Sequence, residues 1–372
     1  MAAVTREQVM RTLEGVRDPE LGGNVVELGM ISDVAIDGGT VDIGLALTIA
    51  ECPMRNQLEG DTRRRVAAIP GVEAVNVRTT AMTKRQRAEL MSIARRRARE
   101  NAEPTQVSST TRVIAIASGK GGVGKSSLAT NLAAGLADNG FNVGLLDADI
   151  WGFSVPRMMG ATGKLEADAT TKLIQPVEAH GVKVVSTGLI IESEETALMW
   201  RGLMLSKALE QFLKQVDWGD LDYLILDMPP GTGDVQMALT RMLPQAEMVV
   251  VTTPQPAAQR VAIRVADMAR RSHMPVVGVI ENMAGDVFGT GGGNELADEL
   301  GVPLLASIPL DPDVVSGGDH GVPVILDPRR GPAASALAMA VEMVTAVVPP
   351  ADLETCTGRI AKLIADLEDG AA

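Results

Sequence analysis

From residue 112 to about 310 the chain repeats one pattern: a short apolar run, a polar turn, then a stretch of helix length. The runs fall at 113–117, 143–148, 183–187, 222–227, 247–252, 276–281 and 303–308. Most are rich in Val, Ile and Leu and stay apolar nearly throughout, which predicts strands buried on both faces. Helix-length segments between them predict βαβ crossovers and a mostly parallel sheet covered by helices on both faces. The first 83 residues follow another pattern. Val9, Leu13 and Val16 fall at helical spacing within residues 4–16, and strand-like runs at 31–36 and 41–50 flank the Asp37-Gly38-Gly39 turn of a hairpin. Glu51-Cys52-Pro53-Met54 opens a helix to about Ala68, Pro70-Gly71 breaks it, and residues 72–80 form a third strand. This predicts a small α+β domain over residues 1–83. Residues 84–110 read as a basic helix followed by a polar linker with Pro104, 111–348 as the α/β domain, and 349–372 as an amphipathic segment.

The first long apolar run carries the chemistry. Val113-Ile114-Ala115-Ile116 leads into Gly119-Lys120-Gly121-Gly122-Val123-Gly124-Lys125-Ser126, which fills every fixed position of G-x-x-x-x-G-K-S/T, with Ser127 next and a helix-length stretch behind. Strand, glycine-rich loop and helix are the setting in which backbone N–H groups and a helix N-terminus bind phosphate. Lys125 is expected to reach the β- and γ-phosphates, and the Ser126 hydroxyl to ligate Mg²⁺. Two other runs end in acids at their carboxyl ends: Asp147-Ala148-Asp149 after the second, and Asp227 before Pro229-Pro230-Gly231 after the fourth. Paired acids there suit magnesium-water ligation and orientation of an attacking water, and Asp227 fits the Walker-B position. The bland alternative for each acid, a helix cap or turn former, weakens when three share the edge with a phosphate loop. The sequence therefore predicts ATP binding and hydrolysis with Mg²⁺.

Composition narrows the rest. Aromatic residues make up only 2%, too few for base-stacking platforms, and a net charge of −13 opposes a general nucleic-acid or anionic-membrane binder. Residues 84–99 are locally basic; a solvated helix face is the simpler reading, a nucleic-acid or acidic-partner patch the alternative. No apolar run reaches the length of a membrane span and no signal-peptide pattern opens the sequence, so a cytoplasmic protein is expected. Two cysteines, Cys52 and Cys356, are too few for a disulfide framework.

Lys120, directly after the first glycine, makes the loop similar to the deviant phosphate loop of the MinD/ParA/ArsA/nitrogenase-iron-protein class. That resemblance implies a homodimer with nucleotide at the interface, in which Lys120 crosses to the partner's nucleotide. Residues 147–160 (DADIWGFSVPRMMG), 224–234 (LILDMPPGTGD), 199–202 and 308–312 resemble, more narrowly, the Mrp/ApbC-type iron–sulfur carrier ATPases. The Asp18-Pro19-Glu20 turn, residues 26–31 and the Cys52-Pro53 pair resemble the iron–sulfur-assembly domain fused to the front of such proteins. By that resemblance Asp149 positions the hydrolytic water, Asn282 reads adenine, and Asp311 joins the nucleotide site. Asp147 joins Ser126 and Asp227 at Mg²⁺, Cys52 is a functional thiol, and the partners are iron–sulfur apoproteins or assembly factors. Read alone, Asn282 is an Asx turn former, and Cys52 is open between a helix-start thiolate and a buried small hydrophobe.

The chain departs from the family in one place. A Cys-x-x-Cys pair is expected after Asn282-Met283, where this sequence runs Ala284-Gly285-Asp286-Val287-Phe288-Gly289 with no cysteine. The expected function is ATP-driven binding and transfer of an iron–sulfur cluster. The alternative is a nucleotide-switched assembly or scaffold protein that carries none. A third reading, phosphorylation of a small metabolite, has no recognisable substrate pocket in the sequence.

Overall fold

The computed structural model describes residues 4–18, 23–48, 54–100, 102–149, 152–190, 202–231, 233–329 and 331–351. Cys52, Cys356, Met199–Arg201 and all but the first three residues of the 349–372 segment lie outside them. The chain divides into two compact units, Met1–Asn101 and Ala102–Ala372.

In the first unit, helix α1 (Arg6–Leu13) starts at a capping box, with Thr5 and Gln8 each satisfying the other's backbone N–H. Strands β1 (Ile31–Asp37) and β2 (Thr40–Leu47) form the expected antiparallel hairpin, and β3 (Ala74–Ala81) adds parallel to β2 after helix α2 (Arg55–Ala67). Leu13, Ile43, Leu45 and Leu58 fill the core. The basic helix α3 (Lys84–Glu100) belongs here rather than to a connection, because Leu90 is buried in that same core. Arg85, Arg87 and Arg96 are exposed, while Leu90, Met91 and Ile93 form a short apolar stripe against the core.

The second unit begins with residues that were read as linker. They are docked: Gln106 N donates to Leu213 O, and Val107 is buried in the core. Strand β4 (Arg112–Ala117) then leads through the glycine-rich loop into α4 (Lys125–Asp138). Next come β5 (Val143–Asp147), the short helix α5 (Val155–Met158), the two-residue strands β6 (Glu166–Ala167) and β7 (Ile174–Gln175), β8 (Val177–Ala179) and β9 (Val182–Val185). After α6 (Gly202–Gln215) follow β10 (Tyr223–Asp227), α7 (Gly233–Met242), β11 (Glu247–Thr252), α8 (Pro256–Arg271) and β12 (Val276–Ala284). Helix α9 (Gly292–Leu300), β13 (Leu304–Pro309), α10 (Pro312–His320) and α11 (Pro332–Val347) complete the unit.

The sheet has the order β13-β12-β11-β4-β10-β5-β9-β8, parallel except for the edge strand β8, which pairs antiparallel with β9. All seven expected strands are present. β8 was missed, and so was the β6–β7 pair, since two or three residues carry no readable period. Alternation along β4 sends Ile114 and Ile116 into the core under α4 and α11, and Val113 and Ala115 into the core under α6–α8. Burial on both faces explains the near-continuous apolar runs.

The register places the chemistry. β10 lies between β4 and β5, pairing Asp227 with Ile116 on one side and with Asp147 on the other. The glycine-rich loop continues from β4. Loop and both acids therefore reach the same carboxyl edge of the sheet, where ligands bind in such folds.

Candidate functional site

Lys120 through Ser127 line a cavity of about 220 Å³ together with Asp149, Ser154, Met158 and Pro230. Gly124 precedes α4 with φ 83°, and a Cβ there would overlap the amide of Asn282, so both conformation and space require glycine. Asn282 is buried, and its Nδ2 donates to Val123 O at 2.8 Å, tying strand β12 to the loop. A neighbouring cavity of about 420 Å³ shares Gly122, Gly124 and Ser127 with the first and adds Asn282, Met283, Leu310 and Asp311. Asp311 caps α10, accepting from Asp313 N at 3.0 Å and from Ala333 N of α11 at 3.3 Å, which holds that cavity's far wall.

Gly119 faces elsewhere. A Cβ on it would fall 2.5 Å from the Val261 backbone, so it serves close packing on α8 rather than the cavity. Lys120 is exposed and forms no ion pair among the described residues; the Ser118 hydroxyl donates to its carbonyl at 2.9 Å. Lys125 is buried, with Nζ 3.6 Å from Oδ1 of Asp227.

Asp147 and Asp227 do not line the cavities. They lie buried behind the loop, side by side in register. Burial, then the charge of Asp227, pushes the Asp147 carboxyl well above the ordinary carboxylate range, while hydrogen bonds from Ser186 and the Asp149 N–H oppose the rise. Burial also raises Asp227, against the Lys125 charge and the nearby Ser126 hydroxyl. Asp147 is fully hydrogen-bonded: Oδ1 accepts from Asp149 N and Oδ2 from the Ser186 hydroxyl, each at 3.0 Å. Asp227 is not. Neither of its buried oxygens has a hydrogen-bond partner of normal geometry. An unsatisfied buried carboxylate next to a serine hydroxyl is an all-oxygen donor set that suits Mg²⁺ and its waters.

Residues 285–289, where the family pair is expected, form a closed turn: Gly285 and Gly289 exchange backbone hydrogen bonds of 2.8 and 2.7 Å. The turn exposes Val287 and Phe288. Among the described residues, no group of three or more His, Cys, Asp or Glu is placed to hold a metal ion. No described helix is long and apolar enough to cross a membrane. Ser154, Arg157 and Met158, inside the 147–160 stretch, and Met283, beside Asn282, line these cavities without having been selected individually from sequence, because no feature of their own marked them.

Residues 109–345 match the family of NUBPL iron-transfer P-loop NTPases, and residues 6–78 match an iron–sulfur cluster assembly protein family. An iron–sulfur cluster carrier protein of Mycobacterium leprae is 44% identical over 349 residues, covering 89% of this chain and 90% of that one. A nucleotide-binding protein of Archaeoglobus fulgidus, solved with ADP, superposes with a TM-score of 0.52 at 32% identity, covering 63% of this chain and 94% of that chain. The cell-division ATPase MinD of Pyrococcus furiosus shares the fold, with a TM-score of 0.51 at 22% identity over 63% of this chain and 98% of its own. Matched from residue 109 to 345, more than half of its length, this chain belongs to the NUBPL iron-transfer P-loop NTPase family.

Proposed function

We propose that this protein hydrolyses ATP and uses the nucleotide cycle to bind and hand over an iron–sulfur cluster as its cargo. The observation that carries the hydrolytic part is the buried Asp227 carboxylate, paired in charge with Lys125 at 3.6 Å but without a hydrogen-bond partner, at the base of the phosphate loop. In this reading the N–H groups of Gly121–Ser127 receive the phosphates, and Lys125 leaves Asp227 to meet the β- and γ-oxygens. Ser126 and Asp227, with Asp147 behind, would hold Mg²⁺, in part through water. When bound, the ion supplies charge neutralisation on the phosphate oxygens. Asp149, at the cavity wall, orients the attacking water. Lys120, exposed and without an ion pair among the described residues, is free to act across a homodimer as an arginine finger does. Asn282 and Asp311 border the space for the nucleoside.

The cargo follows from the relatives' names and from the assembly-type domain at residues 6–78. Iron–sulfur clusters take thiolate ligands, and the chain contains only Cys52 and Cys356. Any bound cluster therefore depends on Cys52, in the domain built for assembly, with Cys356 as the second source. The closed Gly285–Gly289 turn favours one other reading, a nucleotide-switched assembly protein with no cluster. Anaerobic reconstitution of wild type, Cys52→Ser and Cys356→Ser, scored by iron, sulfide and visible absorption, separates them. Loss of iron in Cys52→Ser alone supports the proposal, and loss in both variants means four thiolates from a dimer. Equal, substoichiometric iron in all three refutes cluster carriage and leaves the switch.

A further inference from the structure

We infer that the turn Ser186-Thr187-Gly188 positions the acids of the nucleotide site, with Ser186 acting on Asp147 and, through it, on Asp149. The inference rests on the reading of those two acids given above. Ser186 follows β9, the strand next to β5, and is wholly buried. Its hydroxyl donates to Asp147 Oδ2 at 3.0 Å and accepts from Gly188 N at 3.1 Å. One oxygen thus sets both the Asp147 rotamer and the start of the 3-10 segment Thr187–Leu189. The relay continues outward: Asp147 Oδ1 accepts from Asp149 N at 3.0 Å, and Asp149 Oδ1 accepts from Gly152 N at 3.1 Å. Asp149 lines the phosphate cavity; Ser186 does not. Ser186 therefore acts on the cavity at second hand, through Asp147 and through the Gly188 turn it holds.

The same turn carries a second contact. The Phe153 ring lies directly on Gly188, where a Cβ would fall 2.6 Å from the ring Cδ2. Phe153 follows Gly152, which donates to Asp149, so Asp149 is supported from both ends. Without the Ser186 hydroxyl, Asp147 Oδ2 becomes a buried acceptor with no donor, and a carboxylate so placed must rotate or take in water. Rotation moves Oδ1 away from the Asp149 N–H.

The test uses the full-length chain loaded with ADP, and reads divalent-ion binding as well as turnover. Mn²⁺ affinity is measured by electron paramagnetic resonance for wild type, Ser186→Ala, Ser186→Thr, Gly188→Ala and Asp147→Asn. Steady-state ATP hydrolysis is measured alongside. Ser186→Ala is expected to weaken Mn²⁺ about tenfold and to lower kcat about tenfold, with KM for ATP within twofold, because one charge-assisted hydrogen bond is lost. Ser186→Thr, which keeps the hydroxyl, should restore both. Gly188→Ala should lower kcat and leave Mn²⁺ affinity unchanged, since it acts through Phe153. A Ser186→Ala chain within twofold of wild type in both measures, or a loss that threonine does not restore, overturns the inference. Asp147→Asn separates the two levels. If it leaves Mn²⁺ affinity intact, the assignment of Asp147 to the ion fails; if it weakens Mn²⁺ while Ser186→Ala does not, only the positioning role fails.

Discussion

Lys125 and Asp227 form one electrostatic unit before any nucleotide arrives, and removing the lysine charge exposes its size. The charged atoms are 3.6 Å apart, and the side chains are 8% and 1% exposed. Lys125→Met keeps the apolar stem and leaves Asp227 as an uncompensated buried carboxylate. Breaking a buried pair from one side costs ~3–5 kcal/mol. Protonation sets a ceiling: neutralising an ordinary carboxyl at pH 7 costs about 4 kcal/mol. Burial, which raises Asp227, moves the loss toward that ceiling without changing it. The expected loss at pH 7 is therefore about 3 kcal/mol. A carboxyl whose folded pKa lies above its unfolded value costs stability as pH climbs between the two. The deficit therefore shrinks as pH falls from the raised folded value toward the ordinary carboxylate range. Urea denaturation of the nucleotide-free chain, followed by tryptophan fluorescence, reports the second unit selectively. Trp151, Trp200 and Trp218 all fall in it, and Trp218 is fully buried. Adding Asp227→Asn to Lys125→Met should recover most of the loss. Equal stability of the single and double variants, or a deficit that ignores pH, would refute the pairing.

Two further outcomes follow from the loop. Gly124→Ala adds a methyl at φ 83° against the Asn282 amide, and is expected to weaken ATP about 5- to 150-fold in calorimetry, for a strain cost of about 1–3 kcal/mol; wild-type affinity would remove the steric argument. Lys120→Ala should bind ATP nearly as wild type but lose hydrolysis, and mixing it with Asp149→Ala chains should recover activity in heterodimers that unite both wild-type residues in one site. No recovery with heterodimers demonstrably formed counts against a lysine supplied by the partner.

Much of this was legible in the residues. The phosphate loop is local: glycines, lysine and serine at fixed spacing dictate a backbone shape whatever surrounds it. The seven parallel strands were legible because burial on both faces demands apolar runs, and such runs stand out. The acids at 147, 149 and 227 could be selected because strand ends in this architecture collect at one edge.

Tertiary structure alone decided which acids face the cavity and which stand behind it. Asp147 and Asp149 look equivalent two residues apart, yet Asp147 is buried and fully hydrogen-bonded while Asp149 reaches the cavity wall. That difference arises from a register between β5 and β10, and from Ser186, just past β9 and 39 residues away, neither of which any local period encodes. The partner of Asn282 was equally invisible: its amide meets Val123, 159 positions earlier, because β12 and the loop converge at the sheet edge. Helix α3 reads from sequence as a solvated basic helix ahead of the linker for the converse reason, since its abundant arginines outweigh Leu90, Met91 and Ile93, which pack on the core of the first unit. Local spacing determines backbone shape, whereas long-range pairing decides what each side chain meets.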